Sequence, residues 1–172
     1  MPRFLLLLPL ILLGCAGYQV GEIKPKLFGN IKTIAVPTWR NETLEPRAEV
    51  FLANAIIKQI QQDGTYKIAR EADADAILEG TLEEIQRRPA RSVTGNVLQT
   101  KEYTLVLKAR YRVVDRVTGR ELEARSASGS TSFFVSGTNL IAADVTQDER
   151  QALPIAADDL AVRLVSQISE GW

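Results

Sequence analysis

The sequence predicts one α+β domain in which two helices pack on one face of a mainly antiparallel four-stranded sheet. Three observations lead there. Two segments repeat apolar residues at three- and four-residue steps, one long segment alternates apolar and polar residues with period two, and clusters rich in Gly, Pro, Asn and Asp separate them. Neither helical stripe can be buried alone, and a half-polar sheet needs a cover on its apolar face, so helices laid on the sheet satisfy both.

Taken in order, Ile31 to Pro37 (IKTIAVP) reads as a first strand, rich in β-branched residues and closed by Pro37. Trp39 to Thr43 reads as a loop. From Glu45 to Gln62, the residues Ala48, Leu52, Ala55, Ile56 and Ile60 share one helical face. Asn41 or Thr43 is placed to cap that helix, and Asp63-Gly64 to end it. A short Tyr66 to Ile68 segment and a turn at Asp73 to Asp75 follow. Ala76 to Arg88 is a second strand that Pro89 is expected to stop. A polar loop, residues 89–99, leads to the clearest strand, where Tyr103, Leu105, Leu107, Ala109, Tyr111 and Val113 alternate with Thr104, Val106, Lys108, Arg110 and Arg112. Val117 to Arg120 turns the chain into an antiparallel return, Glu121 to Phe134. The last element, about Gln147 to Ile168, carries Leu153, Ala157, Leu160, Leu164 and Ile168 on one face, with Pro154 kinking it or marking its start.

Composition narrows function. The chain has 172 residues, 45% apolar and 24% charged, the balance of an ordinary globular protein. Lys plus Arg equals Asp plus Glu at 21 each, which argues against a nucleic-acid binder, whose domain would be strongly basic. There is no histidine, and the one cysteine is Cys15, so common zinc sites, His-dependent catalytic sets and an internal disulfide are excluded together. Adjacent carboxylates such as Glu83-Glu84 or Asp158-Asp159 are expected to point apart, so no enzyme is expected and no cofactor is implied.

The amino terminus has the layout of a secretory signal: Arg3 in a short positive region, then an apolar run from Phe4 to Leu13 and the small residue Gly14. The run is too short to span a membrane, which takes roughly 20 apolar residues. Leu12-Leu13-Gly14-Cys15 resembles the bacterial lipobox, whose cysteine takes a diacylglycerol and becomes the new amino terminus. The expected organisation is residues 1–14 as a cleaved signal, 15–30 as a lipidated tether and 31–172 as the domain. Ala16 stands where Asp would retain a lipoprotein at the inner membrane, so the expected address is the outer membrane, facing the periplasm, with a lipid anchor.

Several features in order resemble the LptE family of lipopolysaccharide-assembly lipoproteins, also called rare lipoprotein B. They are Leu13-Gly14-Cys15 followed by Gly17-Tyr18, the Ile31 to Pro37 strand, Gln99-Thr100-Lys101-Glu102-Tyr103, Ser132-Phe133-Phe134, and Asp148-Glu149 before the last helix. The resemblance implies the two-helix, four-stranded fold, no catalysis, and a partner, the large outer-membrane β-barrel LptD, which the lipoprotein plugs while helping to deliver lipopolysaccharide. The family's basic lipopolysaccharide positions fall near Asn96 and Gln147 here, both uncharged.

Candidate contacts follow from local charge. Arg87, Arg88 and Arg91, with Lys101 nearby, lie in or beside one loop where guanidinium forks would suit the phosphates of lipid A; a solvated loop end is the competing reading. Lys108, Arg110 and Arg112 lie on the polar face of the alternating strand, to meet either water or a polar barrel lumen. Phe133 and Phe134 must point to opposite faces, so Phe134 is a candidate interface anchor. The competing functional class is a lipoprotein regulator of a cell-wall synthase or a secretion-channel subunit, suggested by Ile31 to Thr43 (IKTIAVPTWRNET).

Overall fold

The computed structural model describes residues 28–91, 101–135 and 142–170. Along the chain run β1 (Thr33–Ala35), β2 (Arg40–Asn41), α1 (Ala48–Asp63), β3 (Lys67–Ile68), β4 (Ala76–Arg91), β5 (Lys101–Asp115), β6 (Glu121–Val135) and α2 (Ala142–Glu170). The α+β class and the two helices agree with the sequence reading. The sheet does not: it has six strands and is mixed, in the order β3-β1-β4-β5-β6, with β2 also on β4.

Two physical causes account for the difference. Pro37 lacks a backbone N–H and interrupts the first strand, so β1 and β2 lie in succession along β4, both parallel to it, with Ile34 opposite Ala76 and Arg40 opposite Thr81. The chain then crosses over through α1 and returns parallel to β1 as β3, pairing Thr33 with Lys67. A parallel return needs such a crossover, whereas a hairpin is necessarily antiparallel. The long strands do form the expected antiparallel meander.

Each element has a local reason. Helix α1 buries Ala48, Leu52, Ala55, Ile56 and Ile60, and Gly64, at φ 79°, ends it by donating its N–H to the Ile60 carbonyl at 3.1 Å. Its start departs from expectation. Arg47 occupies the cap position at φ 68° and makes no side-chain capping bond. Asn41 instead donates to the Glu45 carbonyl at 2.9 Å and the Glu49 carboxylate at 2.7 Å. Strand β4 continues through Pro89 to Arg91, with a register shift after Pro89 where the missing donor disturbs the ladder. The β5–β6 turn is held by the Asp115 carboxylate, which accepts from the N–H groups of Val117 and Thr118 at 3.0 and 2.8 Å. Helix α2 begins earlier than expected and runs through Pro154.

The core lies on one sheet face. Leu78, Leu82, Leu105, Leu107, Ala109, Tyr111 and Val113 are buried there with α1's stripe and with Leu153, Ala157, Leu160, Leu164 and Ile168 of α2. Helix α2 rides on β6 so closely that a Cβ on Gly129 would overlap the backbone of Ala156 and Leu160. Trp39, buried, fills the space that Gly80 leaves. At the foot of the molecule, the Tyr66 hydroxyl donates to the Ile168 carbonyl at 2.8 Å and Phe28 packs edge-on against the Tyr66 ring.

Candidate functional site

The sheet face away from the helices is built mainly by β4, β5 and β6, with Arg40 of β2 beside Glu79, Arg110 and Arg112, and no described element covers it. Period-two alternation places Lys108, Arg110 and Arg112 there, as the sequence predicts, and each meets an acid on β4. Lys108 Nζ lies 2.8 Å from Glu84, Arg110 3.0 Å from Glu83 and Arg112 3.0 Å from Glu79. Glu83 and Glu84 do not point apart, contrary to the alternation argument. A bulge between Leu82 and Glu84 gives β4 one extra residue, so both carboxylates serve the same face. Lys108 and then Gln86, both hydrogen-bonded to the Glu84 carboxylate, hold its pKa below the usual range.

The result is a row of cross-strand ion pairs with little net charge. Pairs this exposed contribute little stability, because water screens them and two long side chains must be ordered to form each. What the face offers is a dense array of donors and acceptors. Beyond it, on β6, Ser126, Ser128, Ser130 and Ser132 are exposed, and Phe134, 57% exposed, ends the strand on the same side. Phe133 is buried, stacked on Tyr103 at 5.7 Å between centroids.

The basic candidates at the strand ends separate. After the bulge, Arg87 falls on the helix side, where its guanidinium lies 3.1 Å from Glu149 of α2 and 5.7 Å from the Tyr103 ring centroid. Arg88 points to the open face and donates to Gln86 Oε1 at 2.6 and 3.1 Å. The two arginines therefore do not converge. Arg91 is the last residue of β4, in register with Glu102, and Lys101 opens β5 opposite Val135; the side chains of both lie outside the described residues. Cys15 and residues 92–100, Asn96 among them, also lie outside them.

Sequence reasoning missed the acids. Glu79, Glu83, Glu84 and Glu149 complete the basic residues, and their signal was present for the first three as polar positions on a strand predicted to pair with β5. The bulge hid Glu84, which plain alternation from Leu78, Gly80 and Leu82 would turn to the helix side. A separate half-buried acid, Glu123, has its carboxyl pKa pushed up by burial, which Arg125 at 2.6 Å partly opposes. No group of three or more acidic side chains suited to a metal ion occurs among the described residues, and no described helix is long and apolar enough to cross a membrane.

The architecture recurs in solved structures, two of the three that follow being lipoproteins. The minor lipoprotein of Acinetobacter baumannii is similar at 18% identity and TM-score 0.52, covering 82% of this chain and 92% of its own. Lipoprotein B of Nitrosomonas europaea is similar at 12% identity and TM-score 0.51, covering 82% and 84%. PelC of Paraburkholderia phytofirmans, solved as a dodecamer, shows 18% identity and TM-score 0.51 over 80% and 89%. At such identities the likeness concerns the fold. No curated protein matches the chain.

Family membership is decided by sequence. The model of the lipopolysaccharide-assembly family LptE matches residues 31–168, and the chain belongs to that family. It is accordingly a lipopolysaccharide-assembly lipoprotein, not an enzyme, and its family works without a cofactor.

Proposed function

We propose that the protein is anchored in the outer membrane by lipid on Cys15, faces the periplasm, and sets its open sheet face against the polar inner wall of an LptD-type β-barrel, assisting that barrel's assembly and the delivery of lipopolysaccharide. The observation that carries this reading is the face itself: three strands of 15 or 16 residues left without helices, lined by Glu79–Arg112, Glu83–Arg110 and Glu84–Lys108 pairs. A barrel lumen is polar, and a charge-paired surface can exchange its hydrogen bonds with such a wall without stranding a charge. Phe134 supplies an apolar anchor at the edge of the same face. Arg88, Arg91 and Lys101, with Arg87, are the proposed lipopolysaccharide contacts at the strand ends. The regulator or channel-subunit reading is not favoured, because the family match is to lipopolysaccharide assembly.

The test is affinity purification of the tagged protein from detergent-solubilised outer membranes. A large barrel should co-purify with the wild type and be lost when Lys108, Arg110 and Arg112 are together changed to Glu, which sets six carboxylates on one face. Replacement of Arg87, Arg88 and Arg91 by Ala should keep the barrel and weaken lipopolysaccharide binding, most visibly at low salt. A barrel that stays bound to the charge-reversed protein would refute the docking face.

A further inference from the structure

We infer that a groove at the start of α1 binds one acyl chain of a delivered anionic lipid. Helices α1 and α2 run side by side in the same direction, tied by Glu45 to Arg150 at 3.4 Å near one end and by Asp63 to Ser169 at 3.0 Å near the other. They differ in length, with 16 residues in α1 and 29 in α2. At about 1.5 Å per residue, α2 extends roughly 20 Å further. The shorter helix leaves a ledge where it begins, and the ledge opens a groove of about 580 Å³, within the size range of small-molecule sites.

The lining is amphipathic. Pro46, Val50, Phe51 and Leu153 give an apolar floor, and Val50 and Phe51 remain 38% and 43% exposed, although a helix beside a core normally turns such residues inward. Arg47 and Arg150 stand at the rim against one acid, Glu45, so the rim carries a net positive charge. Arg47 is the one residue other than glycine with positive φ among the described residues, a backbone that L side chains rarely adopt. Any smaller residue able to take that φ would end the loop as well, yet an arginine sits there. An apolar floor beside unbalanced guanidinium charge fits an alkyl chain attached to a phosphate, and fits neither a neutral lipid nor free phosphate. The groove is on the helix side of the molecule, away from the proposed docking face, so a bound chain and a bound barrel need not compete. The inference rests on the proposed delivery role only for the source of the lipid.

The experiment is calorimetric titration of the purified full chain with dodecyl phosphate below its micelle concentration, with dodecyl maltoside and inorganic phosphate as controls. Dodecyl phosphate should bind one to one, and both controls at least tenfold more weakly. Phe51→Asp should lower the affinity at least tenfold. Arg47→Gly should lower it as well while raising the melting temperature, since glycine accepts the positive φ; a merely structural Arg47 would not produce that opposition. Unchanged affinity in either variant, no binding, or equal binding of dodecyl maltoside would overturn the inference. Groove-dependent sedimentation with phosphatidylglycerol vesicles would overturn the assignment to a delivered lipid in favour of a bilayer. Barrel co-purification should survive Arg47→Gly, so the groove and the docking face can fail separately.

Discussion

Asp75 shows how much one side chain can organise. Its carboxylate accepts the backbone N–H groups of Lys32 and Thr33, each at 2.9 Å, and so locks the start of β1 to the start of β4 across 42 residues of sequence. Those two backbone bonds, Lys32 first, hold its pKa below the ordinary value. A folded-state pKa below the unfolded one means that the unfolded chain binds the proton more readily. The stabilisation is therefore complete above the unfolded pKa, about 3.9, and is lost as the pH falls through the folded value. Asp75→Asn should lower the denaturation midpoint at pH 7, and the gap from wild type should close as the pH falls below about 4 and through the lowered folded value. A gap that is constant over that range would show that the amide's shape, not the charge, is at issue.

At the scale of elements, the two faces of β5 should respond differently to truncation. Leu107 is fully buried between sheet and helix, and Leu107→Ala should cost about 2 to 5 kcal/mol through lost transfer energy and the cavity left behind. Arg110→Ala removes one exposed pair and should cost about 1 kcal/mol or less. Equal losses in urea titrations would contradict the assignment of faces. That assignment was legible in the sequence, because strict alternation over Tyr103 to Val113 admits one reading. The α1 stripe and its Gly64 stop were legible for the same reason. The parallel strands were not: β2 and β3 have two residues each, too few to show a period, and their partners lie far along the chain. The bulge at Glu83 was also hidden, since one inserted residue leaves the local pattern readable yet moves Arg87 from the open side to the helix side and Arg88 the other way. Pairings such as Arg87 with Glu149, 62 residues apart, depend on α2 crossing the sheet and have no local signature.

The molecule as a whole is a long sheet with unequal cover. Strands β4, β5 and β6, at about 3.3 Å per residue, extend roughly 50 Å. The parallel strands reach β4 only as far as Leu82. Helix α1 lies over the same lower portion, reaching β4 beside β2 and β3, and above it α2 lies alone on β5 and β6. The base thus has five adjacent strands and two helices, while the upper part is a three-stranded ribbon under the start of α2 alone, pinned there by Arg87 to Glu149. Cooperativity should be graded along this axis, because opening free energy follows the apolar area that each unit buries. In native-state hydrogen exchange, the amides of Leu78 and Val113 should exchange only through global unfolding. Those of Leu105 and Phe133 should exchange through a smaller opening with a lower denaturant dependence. Identical exchange free energies at both levels would mean a single cooperative block. A graded molecule would behave as a rigid pedestal carrying a compliant mast, able to adjust the shape of its upper end while the base keeps its own.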